Sequence, residues 1–159
     1  MLSRDALEYL QDNLRILSGF YGILKPLDGV VPYRLEMQSK FINYKNKDLY
    51  EYWADKIANS LFEETNLIIN LASKEYSKCV EKYLKNSPGT KFITCVFGEI
   101  KGDKVIERGT LAKMARGEMV RYLAQNKICD LEGLKRFDKL EYKYSQEKSN
   151  ERTYVFIKS

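Results

Sequence analysis

The sequence predicts an α+β fold in which several helices pack on a mixed sheet, and two observations predict it. Apolar residues recur at three- and four-residue steps along four stretches that begin near residues 3, 49, 73 and 110, as amphipathic helices require. Between and after them lie short β-rich runs, 67–71, 91–97, 104–107, 141–145 and 153–157, several of them bounded by turn residues. No linker, low-complexity tract or internal repeat divides residues 1–159, and 44% apolar side chains over that length suffice for one domain with a core.

Ser3 is placed to cap the first helix, in which Leu7, Leu10, Leu14 and Leu17 share a face over about four turns. Gly19 and Gly22 stop it, and a short second helix is expected over 23–28 with Pro26 in its first turn. Two residues, Phe20 and Tyr21, separate the glycines. Because glycine takes φ > 0 cheaply, a turn here leaves N–H groups uncovered, and Ser18 to Gly22 becomes a candidate anion seat with Arg15 and Lys25 supplying charge. The other reading is a tight turn between helices whose glycines serve packing alone.

Pro32-Tyr33-Arg34-Leu35-Glu36-Met37 alternates polar and apolar side chains as an extended segment would, with Arg34 and Glu36 on one face. As a pair they form a surface salt bridge of little worth; inside a pocket they would hold a phosphate or hydroxyl. A polar connector, 43–47, leads into a second long helix whose buried stripe is Leu49, Tyr52, Trp53, Ile57 and Leu61. The apolar run 67–71 fits a strand covered on both faces. Asn70, Ser73 and Glu75 then sit where a strand meets a helix, a place whose free N–H groups attract anions; Ser73 as a plain N-cap is the alternative.

After the turn at 86–89, a β-hairpin reverses at Gly102-Asp103. In the helix from about Thr110 to Lys127, Leu111, Ala112, Ala115, Met119, Tyr122 and Leu123 share the core arc, and Glu118, Arg121 and Gln125 mark the wet face. Lys113 and Arg116 border the arc among small residues, where burying them requires an anionic partner: Glu36, Glu75 or a ligand. Asp130 is placed to cap a short helix through Phe137, and two strands close the chain.

Lysine and arginine exceed aspartate and glutamate by five, and the surplus gathers at 101–127, which carries Lys101, Lys104, Arg108, Lys113, Arg116, Arg121 and Lys127 against Asp103, Glu107 and Glu118. Such a balance permits nucleic-acid or phosphate binding without demanding it. The absence of histidine excludes Ser-His and Cys-His catalytic pairs and the usual histidine-containing metal sites. Cys79, Cys95 and Cys129, odd in number and far apart, suit reduced core thiols. The first residues lack a signal-peptide pattern and no apolar run approaches the ~18 residues of a membrane span, so a cytoplasmic location is expected.

Five motifs in order, LRILSGFYGILKPLD, PYRLEM, DLYEYWADKI, NLASKEY and LAKMARGEMVRYL, resemble the YaaA family of bacterial peroxide stress proteins. The resemblance implies a single YaaA-like domain over 1–159 with a helix-hairpin-helix-like N-terminal element. It also implies a cytosolic protein that binds DNA and limits peroxide and iron damage. On that reading Arg15, Ser18, Gly19, Tyr21, Gly22 and Lys25 contact the phosphates of double-stranded DNA without reading bases. Family members begin upstream with a strand and a Ser-Pro-Ala-Lys motif that this sequence lacks. A truncated member, with a sheet edge left open to association, is therefore expected.

A second hypothesis is a pocket protein or enzyme acting on a phosphorylated or anionic small molecule through Tyr33, Arg34, Glu36, Asn70, Ser73, Glu75, Lys113 and Arg116. Glu36 or Glu75 would be its general base and Lys113 an electrostatic stabiliser. One protein can present both surfaces. Catalysis stays open, with a binding role ahead of an enzymatic one. No catalytic residue, metal ligand or cofactor is assigned, and any link to iron comes from the family.

Overall fold

The computed structural model describes residues 2–40 and 46–159, so Met1 and the first part of the polar connector, 43–45, lie outside the described residues. Contacts divide the chain into two compact units: Met1–Leu10, Ile69–Leu71 and Ile93–Ser159 in the first, Gln11–Ile68 and Ala72–Phe92 in the second. Helix α1 (Arg4–Asn13) starts as the sequence suggests, with Ser3 Oγ accepting the Ala6 amide at 3.2 Å.

The first unit is built on a mixed sheet. Strands β4 (Lys91–Lys101) and β7 (Thr153–Lys158) run parallel, with Cys95 opposite Tyr154 and Phe97 opposite Phe156. Strand β6 (Tyr142–Tyr144) is antiparallel to β7, and β5 (Lys104–Ile106) folds back on β4 across Gly102-Asp103. With β3 (Leu67–Asn70) the order is β3-β4-β7-β6. A parallel neighbour needs a long crossover. Here α5 (Gly109–Gln125) and α6 (Leu131–Lys135) lie in that connection.

The core of this unit is aromatic. Phe97 stacks on Phe156 with centroids 5.1 Å apart, and Phe137 meets both edge-on. Helix α5 buries Ala112, Ala115, Met119, Tyr122 and Ala124, close to the expected arc. Asp130 caps α6 through the Gly133 amide; the helix stops at Lys135, and Phe137 lies buried just past it. Strand β3, at the end of the row of paired strands, is half-buried at Leu67, Ile68 and Ile69 and buried at Asn70, so neither face is fully open.

In the second unit the structure corrects the helix-hairpin-helix-like element. Helix α1 stops at Asn13, and β1 (Ile16–Ser18) pairs antiparallel with β2 (Gly22–Leu24), so the glycines close a β-hairpin and no helix forms over 23–28. Two local causes are visible. Gly22, at φ 77°, fills the left-handed position that closes a three-residue hairpin loop. Ser18 Oγ accepts the amides of Phe20 and Tyr21, a side-chain turn that competes with helix.

The second long helix is broken in two. Helix α2 (Leu49–Trp53), capped by Asp48 through the Glu51 amide, ends at Ala54, whose φ of 46° is left-handed, and α3 (Lys56–Glu64) starts afresh. The stripe accordingly narrows: Leu49, Ile57 and Leu61 are buried, Trp53 is half-buried, and Tyr52 is exposed. With Met37 and Phe92, these residues pack against Cys79 and Val80 of α4 (Lys74–Glu81). Ser73 occupies the N-cap position of α4, yet its hydroxyl makes no capping bond; its carbonyl takes the Tyr76 and Ser77 amides instead.

Cys79 and Cys95 are buried, whereas Cys129 is exposed and is no core thiol. Burial pushes the Cys79 thiol up to about 11 and that of Cys95 up to about 12. Both are therefore held protonated by the fold. Their contribution is complete below the ordinary thiol value of 9.0 and is lost as pH climbs through 11 to 12. In native chain at pH 8, a thiol reagent should modify Cys129 alone, with the other two reacting only after denaturation; fast native labelling of Cys95 would contradict this.

The backbone makes its own prediction. Gly22→Ala should lower unfolding free energy by about 2 kcal/mol, since it strains a left-handed residue and sets a β-carbon 2.8 Å from the Trp53 ring. Ala54→Gly should raise it by about 0.5–1 kcal/mol by relieving the left-handed turn. Urea unfolding of both variants checks the pair, and a Gly22→Ala variant as stable as the parent would refute the hairpin geometry.

Candidate functional site

The hairpin residues nominated for phosphate contact are mostly committed to the second unit. Ser18 is buried; besides the two amides it accepts, its Oγ lies 2.5 Å from Tyr33 Oη. Gly19 and Gly22 are buried as well. A β-carbon at Gly19 would sit 2.7 Å from the Leu35 carbonyl oxygen, and the Gly19 carbonyl accepts the Trp53 indole N–H at 2.9 Å. The amides of Phe20 and Tyr21 thus have an internal acceptor, and a side chain at either glycine would meet its neighbours at close range. Arg15 spans Glu64 and the carbonyls of Gln11 and Leu14, with 14% of its side chain exposed. Tyr21 accepts the Val31 amide. Lys25 is exposed, and its ammonium makes no ion pair among the described residues.

Other nominated residues of this unit stand near one another in sequence but not as a charged cluster. Tyr33 stacks on Phe20 at 5.3 Å, both partly open to solvent. Arg34 and Glu36 are exposed and form no salt bridge with each other. Glu75 is more tightly held: its Oε1 accepts the Gln38 amide at 3.2 Å, and its backbone carbonyl accepts the Tyr50 hydroxyl. Burial, with Glu75 nearby, pushes the phenols of Tyr50 and Tyr76 above their ordinary range. Ser73 heads α4 as described.

The first unit holds Asn70, Lys113 and Arg116. Asn70 is buried and donates through Nδ2 to Thr94 Oγ1. Arg116 is half-buried, and its counter-charge is Glu107, 3.1 Å away on the segment that leads into α5. Neither Glu36 nor Glu75 is needed to offset it. Glu107 also receives the Phe97 amide at 3.4 Å, while Arg116 Nε is buried with no hydrogen-bond partner among the described residues. Lys113 is exposed.

Among the cations of 101–127, Arg108 pairs with Glu99, Arg116 with Glu107 and Lys127 with Asp5. Lys101, Lys104, Lys113 and Arg121 make no ion pair among the described residues. Lys113 and Arg121, two turns apart on α5, flank exposed Gly117 on one stripe about 12 Å long. An open, largely apolar groove of about 360 Å³, lined by Leu2, Leu10, Gly117, Val120 and Arg121, runs beside it.

The model for the family of peroxide stress protein YaaA matches residues 1–148. The chain belongs to the YaaA family. A UPF0246 protein of Lachnoclostridium phytofermentans is 58% identical over 158 residues, covering 99% of this chain and 61% of its own length. UPF0246 proteins of Desulfitobacterium hafniense and Agathobacter rectalis are 52% and 55% identical and are covered over 61% and 59% of their lengths. The chain therefore spans about three-fifths of the relatives it matches. Within its YaaA-family fold, no helix among the described residues is long and apolar enough to cross a membrane. No three His, Cys, Asp or Glu side chains gather as a metal site among those residues.

Two features escaped the sequence reading. Glu107 was the counter-ion of Arg116, a pairing across nine positions that helical spacing alone does not signal. Helix α4 and the turn after it carry Lys74, Lys78, Lys82 and Lys85, all exposed, and their spacing of four, four and three residues was the available signal. Glu107→Gln should lower stability by about 1–2 kcal/mol, because it leaves a half-buried guanidinium without its counter-charge. The double variant with Arg116→Met should lose less than the sum of the single changes. Strict additivity in urea unfolding would show that the pair is not coupled.

Proposed function

We propose that this YaaA-family chain serves the peroxide stress response in the cytoplasm by binding double-stranded DNA through its phosphates, without reading sequence, and so limits peroxide and iron damage. The observation that carries this reading is the pair Lys113 and Arg121. They lie on one exposed stripe of α5 with no ion-pair partner among the described residues, in a segment where Arg108, Arg116 and Lys127 are paired. With the hairpin amides already bonded to Ser18, side-chain cations, Lys25 among them, supply the contacts. Such contacts position a duplex and displace counterions but carry no base information.

A second reading is favoured by Arg116. Its Nε–H is shielded from water and unbonded among the described residues, which suits a small anion held against α5. On that reading Glu107 is the neighbouring carboxylate, and the ligand is a phosphorylated or otherwise anionic small molecule.

A titration of fluorescent duplexes of two unrelated sequences, at 50 and 200 mM salt, tests the first reading. Both should bind alike, and affinity should fall about 100-fold with four displaced counterions. Absence of binding at low salt, or binding indifferent to salt, would remove DNA from the proposal. Tight binding of pyrophosphate, lost in Arg116→Met, would move it to the second reading.

A further inference from the structure

We propose that the exposed lysine row formed by Lys74 and Lys78 of α4, Lys82 at its C-cap and Lys85 on the following 3-10 turn (Leu84–Asn86) is a contact surface for the nucleic-acid phosphate backbone. This inference rests on the DNA-binding reading and assigns that partner to a surface of the second unit.

Lys74 and Lys78, four residues apart, share one face of α4. Lys82 follows at the C-cap with helical backbone angles, Lys85 comes three residues later, and the set extends about 16 Å at the helical rise. That length runs alongside about five base pairs of one strand. All four side chains are exposed, and none makes an ion pair among the described residues; Lys82 leans over the Tyr83 ring at 5.4 Å. Glu81 stands exposed at the edge of the row without pairing to it, and Glu75 is turned to the Gln38 amide.

The arrangement carries a cost at the start of the helix, although Lys78 in the last turn and Lys82 at the C-cap suit the macrodipole. Lys74 places a cation in the first turn, at the positive end of the macrodipole, and Lys74–Lys78 is a like-charged i,i+4 pair, as Lys78–Lys82 would be if the helix ran on. An external polyanion offsets both. A membrane surface is the poorer fit. An amphipathic helix that lies in lipid needs a free apolar face, and the apolar face of α4 is spent in the core, where Cys79 and Val80 are buried and Tyr76 packs against the same cluster.

Compare the parent chain with Lys74→Gln/Lys78→Gln and with a charge-matched control, Lys143→Gln/Arg152→Gln, whose positions are exposed in the other unit. Each is titrated with a 20-base-pair duplex across a salt series. The α4 variant should bind at least tenfold more weakly at low salt and reduce the slope of log affinity against log salt by about 2. Its urea midpoint should be unchanged or raised, and the control should keep the parent's slope. If the parent binds and the two variants behave alike, the row is overturned while the DNA-binding reading stands. If the parent does not bind DNA, both fall. Binding of the parent to phosphatidylserine vesicles, lost in the α4 variant whose DNA affinity is intact, would also overturn the row.

Discussion

The Trp53 indole fills the space that a β-carbon at Gly22 would need, and its N–H donates to the Gly19 carbonyl. This close approach organises the second unit. It requires a side-chain-free backbone at Gly22, it holds the hairpin against the end of α2, and it coincides with the left-handed break at Ala54 that separates α2 from α3. Around it the polar groups close on themselves: Ser18 collects two loop amides and meets Tyr33, and Tyr21 takes the Val31 amide. Buried amides must find acceptors, and here the protein itself provides them.

That constraint explains where the sequence misled. Gly19, Phe20, Tyr21 and Gly22 announced a turn, and a turn is there, but apolar Leu14 and Leu17 carried the helical pattern past its true end. Local periodicity cannot see that Ser18 will bond forward to Phe20 and Tyr21, or that Arg15 will leave the helix to reach Glu64. The same limit applies at Ala54, where nothing in LYEYWADKIANSL marks a left-handed residue. The second half of the chain was far more legible. Gly102-Asp103 reversed a hairpin, α5 ran nearly as its apolar arc required, Asp130 capped α6, β6 formed inside its expected run, and β7 covered its own and one residue more. Those elements state their geometry over a few neighbouring residues.

Charge divides along similar lines. Composition located a cationic surplus in 101–127 but not which members were neutralised; among the described residues the fold pairs Arg108, Arg116 and Lys127 and leaves Lys101, Lys104, Lys113 and Arg121 without an ion pair. Arg116 has the anionic partner its position called for, but that partner is Glu107 and not Glu36 or Glu75, and its Nε is unbonded among the described residues. The family assignment rests on the match over 1–148 and does not depend on any of these contacts.

The position of β7 has a consequence for biosynthesis. This strand lies between β4 and β6, and its partners on β4, Thr94 to Gly98, precede it by nearly sixty positions. Pairings so distant in sequence form slowly, because a long loop must close before any bond is gained. The sheet cannot be completed on the ribosome until residue 158 has emerged. Until then β4 and β6 wait with open flanks, the state in which a nascent chain depends most on holding chaperones.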